Sequence, residues 1–394
     1  MKLDIQTYRI SEAGSIGQRL LLAGIAGLVL SGVGLFFDSL QFFHSYLVAF
    51  TFWVSVSLGA LFFTMLHHLV GASWSVVLRR MFENVMIALP LLFIFFIPIA
   101  FGMGNLYEWT DADKVAVDHL LQGKTGFLNN GFFLARTLVY FAIWFIIAFL
   151  AYKLSLRQDQ AHHETLTAKM KKVSAPGMIL LAVTLTFAAW DWLMSLDAHW
   201  YSTIFGVYYF AGSALSGLAV VTLIAIYLRS KQVLVKQITL EHYHDLAKLL
   251  FAFTVFWAYM AFSQYFLIWY ANIPEETIWF QHRWVGSWKA ISLLLVFGHF
   301  VVPFLVLISR AAKRSTRVLT FAGLWLLFMH WTDLHWLVMP NLHPQGFQPS
   351  WMDLTTVVGI GGLFLAFVWK RLCAQPLVPF NDPKLAASIE FLNQ

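Results

Sequence analysis

A single cysteine, Cys373, is present in 394 residues. That excludes an internal disulfide, a thiolate-held iron–sulfur cluster and a C-x-x-C-H haem attachment within the chain. Charge is scarce as well. Asp, Glu, Lys and Arg together make up 12% of the residues while 59% are hydrophobic, and a soluble globular chain carries about twice that charged share. There is no glycine-rich phosphate loop, no nucleophile elbow and no low-complexity tract. The two longest stretches between apolar runs, 104 to 130 and 153 to 176, leave no room for a soluble domain. Residues 1 to 18 lack an apolar core with a cleavage site, so no removed leader is expected.

What the sequence does contain is ten apolar runs, each of the roughly 17 to 25 residues that a bilayer-spanning helix needs. They predict helices near 19–37, 45–70, 84–103, 131–152, 177–196, 204–228, 248–272, 287–309, 318–339 and 354–372. The expected fold class is therefore an all-α, polytopic integral membrane protein. Of the 26 Lys and Arg residues, all but Lys114, Lys124, Arg136, Arg283 and Lys289 fall on one side. The positive-inside rule then puts both termini in the cytoplasm. The net charge of +6 is explained by anionic headgroups and by this rule, so nucleic acid is not an expected partner and membrane lipids are.

Small residues mark where helices should touch. Ala23, Gly27 and Ser31 recur every four positions on the first helix, and Gly212 with Ser216 and Ser213 with Gly217 do so on the sixth. Pro90 and Pro98 should bend the third helix and Pro303 the eighth, freeing carbonyls for neighbouring groups.

Ionisable side chains at membrane depth are costly, which makes them the candidate functional residues. Arg136, Asp191, Gln264, Lys289, His330 and Asp333 lie between the midplane and the outer face. Asp191 and Asp333 need partners, for which Arg136 and Lys289 are available; the result is either a functional site or an ion-pair network that only holds helices together. His67, His68 and Glu83 sit at the inner ends of the second and third helices. Proton uptake is one reading, because imidazole titrates near neutrality, and contact with headgroups or loop carbonyls is the other. His299 lies near the centre of the eighth helix, four residues before Pro303, and is placed for a relay or for a structural hydrogen bond. His299 and His330 come closest to a haem-ligand pair in depth, but Gly298 is the only glycine beside them, which leaves little room for a porphyrin. No metal site is expected, His330 and Asp333 being the only neighbours with ligand spacing.

The segments DWLMSLDAHWYSTIFG (191–206) and FSQYFLIWYANIPEET (262–277), followed by Arg283, Gly286 and Trp288, and HFVVPFLVLISRAAKR in the eighth helix, resemble the NrfD/PsrC family of membrane subunits. Within it they are most similar to the ActF type of the bacterial alternative complex III, and the resemblance spans the whole chain. It implies two four-helix bundles, 45–196 and 204–339, with peripheral helices 19–37 and 354–372 and a cytoplasmic tail, 373–394. It also implies a subunit of a quinol:cytochrome c oxidoreductase, without a redox centre of its own, in the bacterial inner membrane. Iron–sulfur clusters and haem c would sit on partner subunits, beside an ActC-like paralogue that is the expected quinol carrier. Quinol is a candidate ligand here, with Asp191 as a counterpart of the acidic group in such sites, although His67 and His68 lie too far inward to match the family's quinol histidine. The second bundle contributes Gln264, Tyr265, Asn272, Glu275, Glu276 and Arg283, and the last three are expected on the surface, where a periplasmic partner docks. Proton conduction and scaffolding stand beside quinol binding as expected roles. Outside this family, a secondary transporter or a purely structural anchor is the alternative, although Pro90, Pro98 and Pro303 do not pair as in inverted repeats.

Overall fold

The computed structural model describes residues 8–10, 14–160 and 164–392. Ten long helices run alternately up and down: α1 Ile16–Phe37, α2 Ser39–Val70, α3 Val76–Phe101, α4 Asn130–Gln158, α5 Glu164–Trp192, α6 Phe205–Ser230, α7 Leu240–Ala271, α8 Trp288–Leu307, α9 Thr316–Val338 and α10 Trp351–Ala374. Among the described residues nine of these are long and apolar enough to cross a membrane. The exception, α9, is as long, but His330, Asp333 and His335 dilute its apolar run. The protein is all-α and multi-pass.

Several helices start earlier than hydropathy predicts because polar caps, not apolar runs, set their ends. Asp38 caps α2 by accepting from the Gln41 amide at 2.9 Å. Asn129 does the same for α4 through Phe132, and Ser350 with Asp353 forms a reciprocal box on α10. The stretch expected as an inner loop, 153–176, is mostly helix at the ends of α4 and α5, with 161–163 outside the described residues. The other long connection, 104–130, is built of short helical turns.

Helix α2 is the central post, buried along nearly its whole length. It touches α6 most closely where Gly59 faces the Ser213 carbonyl; a Cβ on Gly59 would stand 1.9 Å from that oxygen. The second small-residue seam joins α1 to α10, Gly24 and Gly27 lying on Gly362 and Gly359. Ala23, expected in this seam, is exposed; the buried stripe is Gly24, Gly27, Ser31 and Gly34.

The predicted bends have local causes. Helix α3 breaks at Ile87–Ala88, just before Pro90, and the nearby Val85 carbonyl accepts from Ser57 at 3.2 Å. In α8 the ladder widens into a π-helical stretch, Leu295–Val301, immediately before Pro303. The Gly298 carbonyl there is taken by the Trp325 indole at 2.7 Å. Such stretches rotate the following side chains and recur at functional sites.

Candidate functional site: a buried polar cluster and an aromatic crevice

Three of the predicted residues come together in the half of the molecule built by α6 to α9. Asp333 is 2% exposed. Its carboxylate accepts from the Tyr208 phenol and, at 3.1 Å, from the Trp257 indole. The Trp257 ring in turn lies against the His299 imidazole, centroids 3.8 Å apart. His330, one turn from Asp333 on the same face of α9, is bonded to the Ser55 hydroxyl at 2.8 Å, and Ser55 lies 3.4 Å from that of Ser216. Neither ring nitrogen of His299 has a protein hydrogen-bond partner among the described residues. The expected cation partners of Asp333 are absent: Lys289 is exposed and lies over the Trp284 ring, and Arg136 is engaged elsewhere. Two neutral aromatic donors take their place.

Arg136 and Asp191 form the closed pair that their common depth suggests. The guanidinium grips the carboxylate through Nε at 2.9 Å and Nη2 at 2.7 Å, the Tyr140 phenol donates at 2.7 Å, and Nη1 donates to the Phe127 carbonyl. Phe127 and Phe132 cover the outer faces of the guanidinium. A bidentate pair of this kind fixes α4 and α5 in register and matches the two charges within the protein.

At the opposite end His67, His68 and Glu83 are all buried, and they do not contact one another as a trio. His67 bonds Ser75 at 2.7 Å, whereas Nε2 of His68 has no protein hydrogen-bond partner among the described residues. Glu83 lies two turns into α3 and is held by Arg79 at 3.0 Å, Arg80 at 3.1 Å and Ser155 at 2.7 Å. The arginines reach on to Asp382 and Asp159. Both arginines count among the charges of the inner side; they are buried there, held between three carboxylates. Burial pushes the Asp159 carboxyl up, and the Arg80 guanidinium opposes that shift. The spacing R-R-x-x-E, which puts both arginines within reach of Glu83 on one helix face, was the available signal. Asp353 with Ser45 and Gln41, at the far end of α2, was also missed.

The remaining predicted residues divide. Gln264 is buried and accepts from Ser202 at 3.2 Å, and Tyr265 packs edge-on against Phe280. Glu275 is exposed on the short helix Pro274–His282, and the Glu276 carbonyl takes the Trp200 indole at 3.1 Å. Arg283 is not the surface residue expected: it is 2% exposed and lies flat on the Trp279 ring at 3.5 Å. Its three nitrogens donate to the carbonyls of Trp336, Trp279 and Leu337. Burial lowers its pKa to about 9, opposed by Asp197, which leaves it cationic at neutral pH.

Beside this arginine a crevice of about 700 Å³ opens between α7 and α8. Tyr208 and Trp257, the two residues that hold Asp333, form part of its wall. Among the described residues no group of three or more His, Cys, Asp or Glu side chains is arranged to hold a metal ion. The fold and these sites define a multi-pass membrane protein with titratable groups enclosed at membrane depth. No family model matches the chain, and no curated protein matches it.

Proposed function

We propose that the chain is a proton-conducting membrane subunit of a quinol-oxidising complex in the bacterial inner membrane, with both termini cytoplasmic. The observation that supports this reading is the way Asp333 is held. Asp191 is locked to an arginine, whereas Asp333 has no cation partner among the described residues and is bonded by a phenol and an indole, so its charge is not committed to an ion pair. His299 and His330 beside it supply further groups that bind and release protons. Electron transfer is assigned to partners: an iron–sulfur subunit, haem c subunits and an ActC-like paralogue, as the NrfD/PsrC-like segments imply.

The test compares Asp333→Asn and His299→Ala in the purified complex. Both variants should assemble and oxidise quinol in detergent at close to the parental rate, while in proteoliposomes fewer protons are moved per electron. An unchanged proton-to-electron ratio, or failure to assemble, overturns the proposal. A closed Arg136–Asp191 pair favours an anchoring role for the α4–α5 side, so Asp191→Asn should impair assembly before it impairs turnover.

A further inference from the structure

The crevice between α7 and α8 has the composition of a ligand site. Its volume of about 700 Å³ falls within the roughly 300 to 1,000 Å³ of sites for small organic ligands. Its walls are aromatic, including Trp257, Phe280, Phe300 and Trp336. Flat rings of this kind favour a planar guest. The rim residues Phe262 and Trp269 are 60% exposed on the apolar outer face of the helices, so the crevice opens toward the hydrocarbon of the membrane.

Polar side chains on its wall include Arg283, Gln281 and Ser292. Arg283 carries five N–H donors, and three are used by backbone carbonyls. Two remain, on a cation that makes no ion pair with a carboxylate among the described residues. The Gln281 side chain beside it donates to Thr277 at 3.4 Å, leaving its amide oxygen as an acceptor. Ser292 is already occupied at both its donor and acceptor sides by the Arg283 carbonyl and the Trp336 indole. One donor pair and one acceptor on the wall of an aromatic slot match a carbonyl or hydroxyl on a ring. A lipid phosphate is a poorer match, because it needs several converging donors and the guanidinium is already enclosed by three carbonyls and stacked on Trp279.

We infer that this crevice binds the ring of a quinone or quinol, its oxygen against Arg283 and Gln281 and its isoprenoid tail running out past Phe262 and Trp269. This rests on the reading of the chain as part of a quinol-oxidising complex, which places the ligand in the same membrane. The site is one of binding alone. The ring would lie against Tyr208 and Trp257, whose polar tips reach Asp333 on the far side.

The experiment uses the full chain in phosphatidylcholine nanodiscs and an azido-substituted short-tail ubiquinone, with labelled peptides mapped by mass spectrometry. Label is expected on α7 and α8, displaced by decylubiquinone and unaffected by added phosphatidylglycerol. Ala261→Trp, which fills the slot, should reduce labelling by about tenfold or more, a loss of about 1.4 kcal/mol of binding. Gln281→Ala should weaken it less, and this second variant reads the site even where the bulky one fails to fold. Label confined to other helices, label that decylubiquinone does not displace, or displacement by phosphatidylglycerol overturns the inference. The readout is independent of the complex: if the chain is found outside any quinol-oxidising assembly, the functional reading falls, whereas labelling of the crevice stands or falls by itself.

Discussion

Gly212 lies directly against the His330 imidazole: a Cβ at this position would stand 2.5 Å from Cε1 of the ring. The glycine on α6 is the space into which the histidine of α9 fits. Gly212→Ala should push the ring off Ser55 and cost about 1 to 3 kcal/mol, the usual range for overpacking a close interior. Thermal unfolding in detergent checks the stability, and a melting temperature equal to the parent's would show that the ring has room to move.

The Arg136–Asp191 pair should behave as a structural unit. Removing either partner leaves a buried charge uncompensated, and each single change, Arg136→Met or Asp191→Asn, should destabilise by about 3 to 5 kcal/mol. The double variant should recover a large part of that loss. Additive losses in the double-mutant cycle would mean that the two side chains are not coupled.

The Lys and Arg distribution predicts the orientation. A reporter fused after Gln394 should respond as cytoplasmic, and one inserted beside Lys114 as external. External activity of the C-terminal fusion would reverse the topology.

His199, between α5 and α6, reaches across to the connection between α3 and α4, where it meets Glu108 at 3.3 Å and Asp118 at 2.6 Å. The His199 hydrogen bond, followed by the Leu121 amide, holds the Asp118 carboxyl below its ordinary range. A depressed carboxylate contributes above its unfolded pKa and ceases to contribute as pH falls through its folded pKa. Amide protection of Leu120 and Leu121, corrected for the intrinsic pH dependence of exchange, should therefore fall on acidification below the ordinary Asp range. In His199→Ala that fall should begin at a higher pH. Protection that is flat across this window in both proteins would remove His199 from the account.

The helices were legible because a run of apolar residues is a local property, readable without knowing its neighbours. Asp191 and Arg136 were legible as partners for a similar reason, since depth along two adjacent helices can be counted. The partners of Asp333 were not, because Tyr208 and Trp257 read as ordinary aromatic residues until α6 and α7 turn their polar tips inward. Arg283 was misread because N-I-P-E-E looks like a surface turn, and the cage that encloses its guanidinium is completed by Trp336 and Leu337, more than fifty residues on. The crevice had no linear signal of its own, being the gap between a straight helix and one whose hydrogen-bond ladder widens at Leu295–Val301.

The bond between Arg79 and Asp382 joins residues 303 positions apart, at 2.5 Å. The ribosome finishes α3, with the first carboxylate partner of that arginine, Glu83, long before it makes the second. Lys384 and Ser388 close on the same region, bonding the Gly71 and Trp74 carbonyls. During synthesis, then, the Arg79 end of the molecule is complete only once residues 382–388 have been made and have folded back on it. The order of translation makes the segment 382–388 a latch, made after all ten long helices and closing on the third of them.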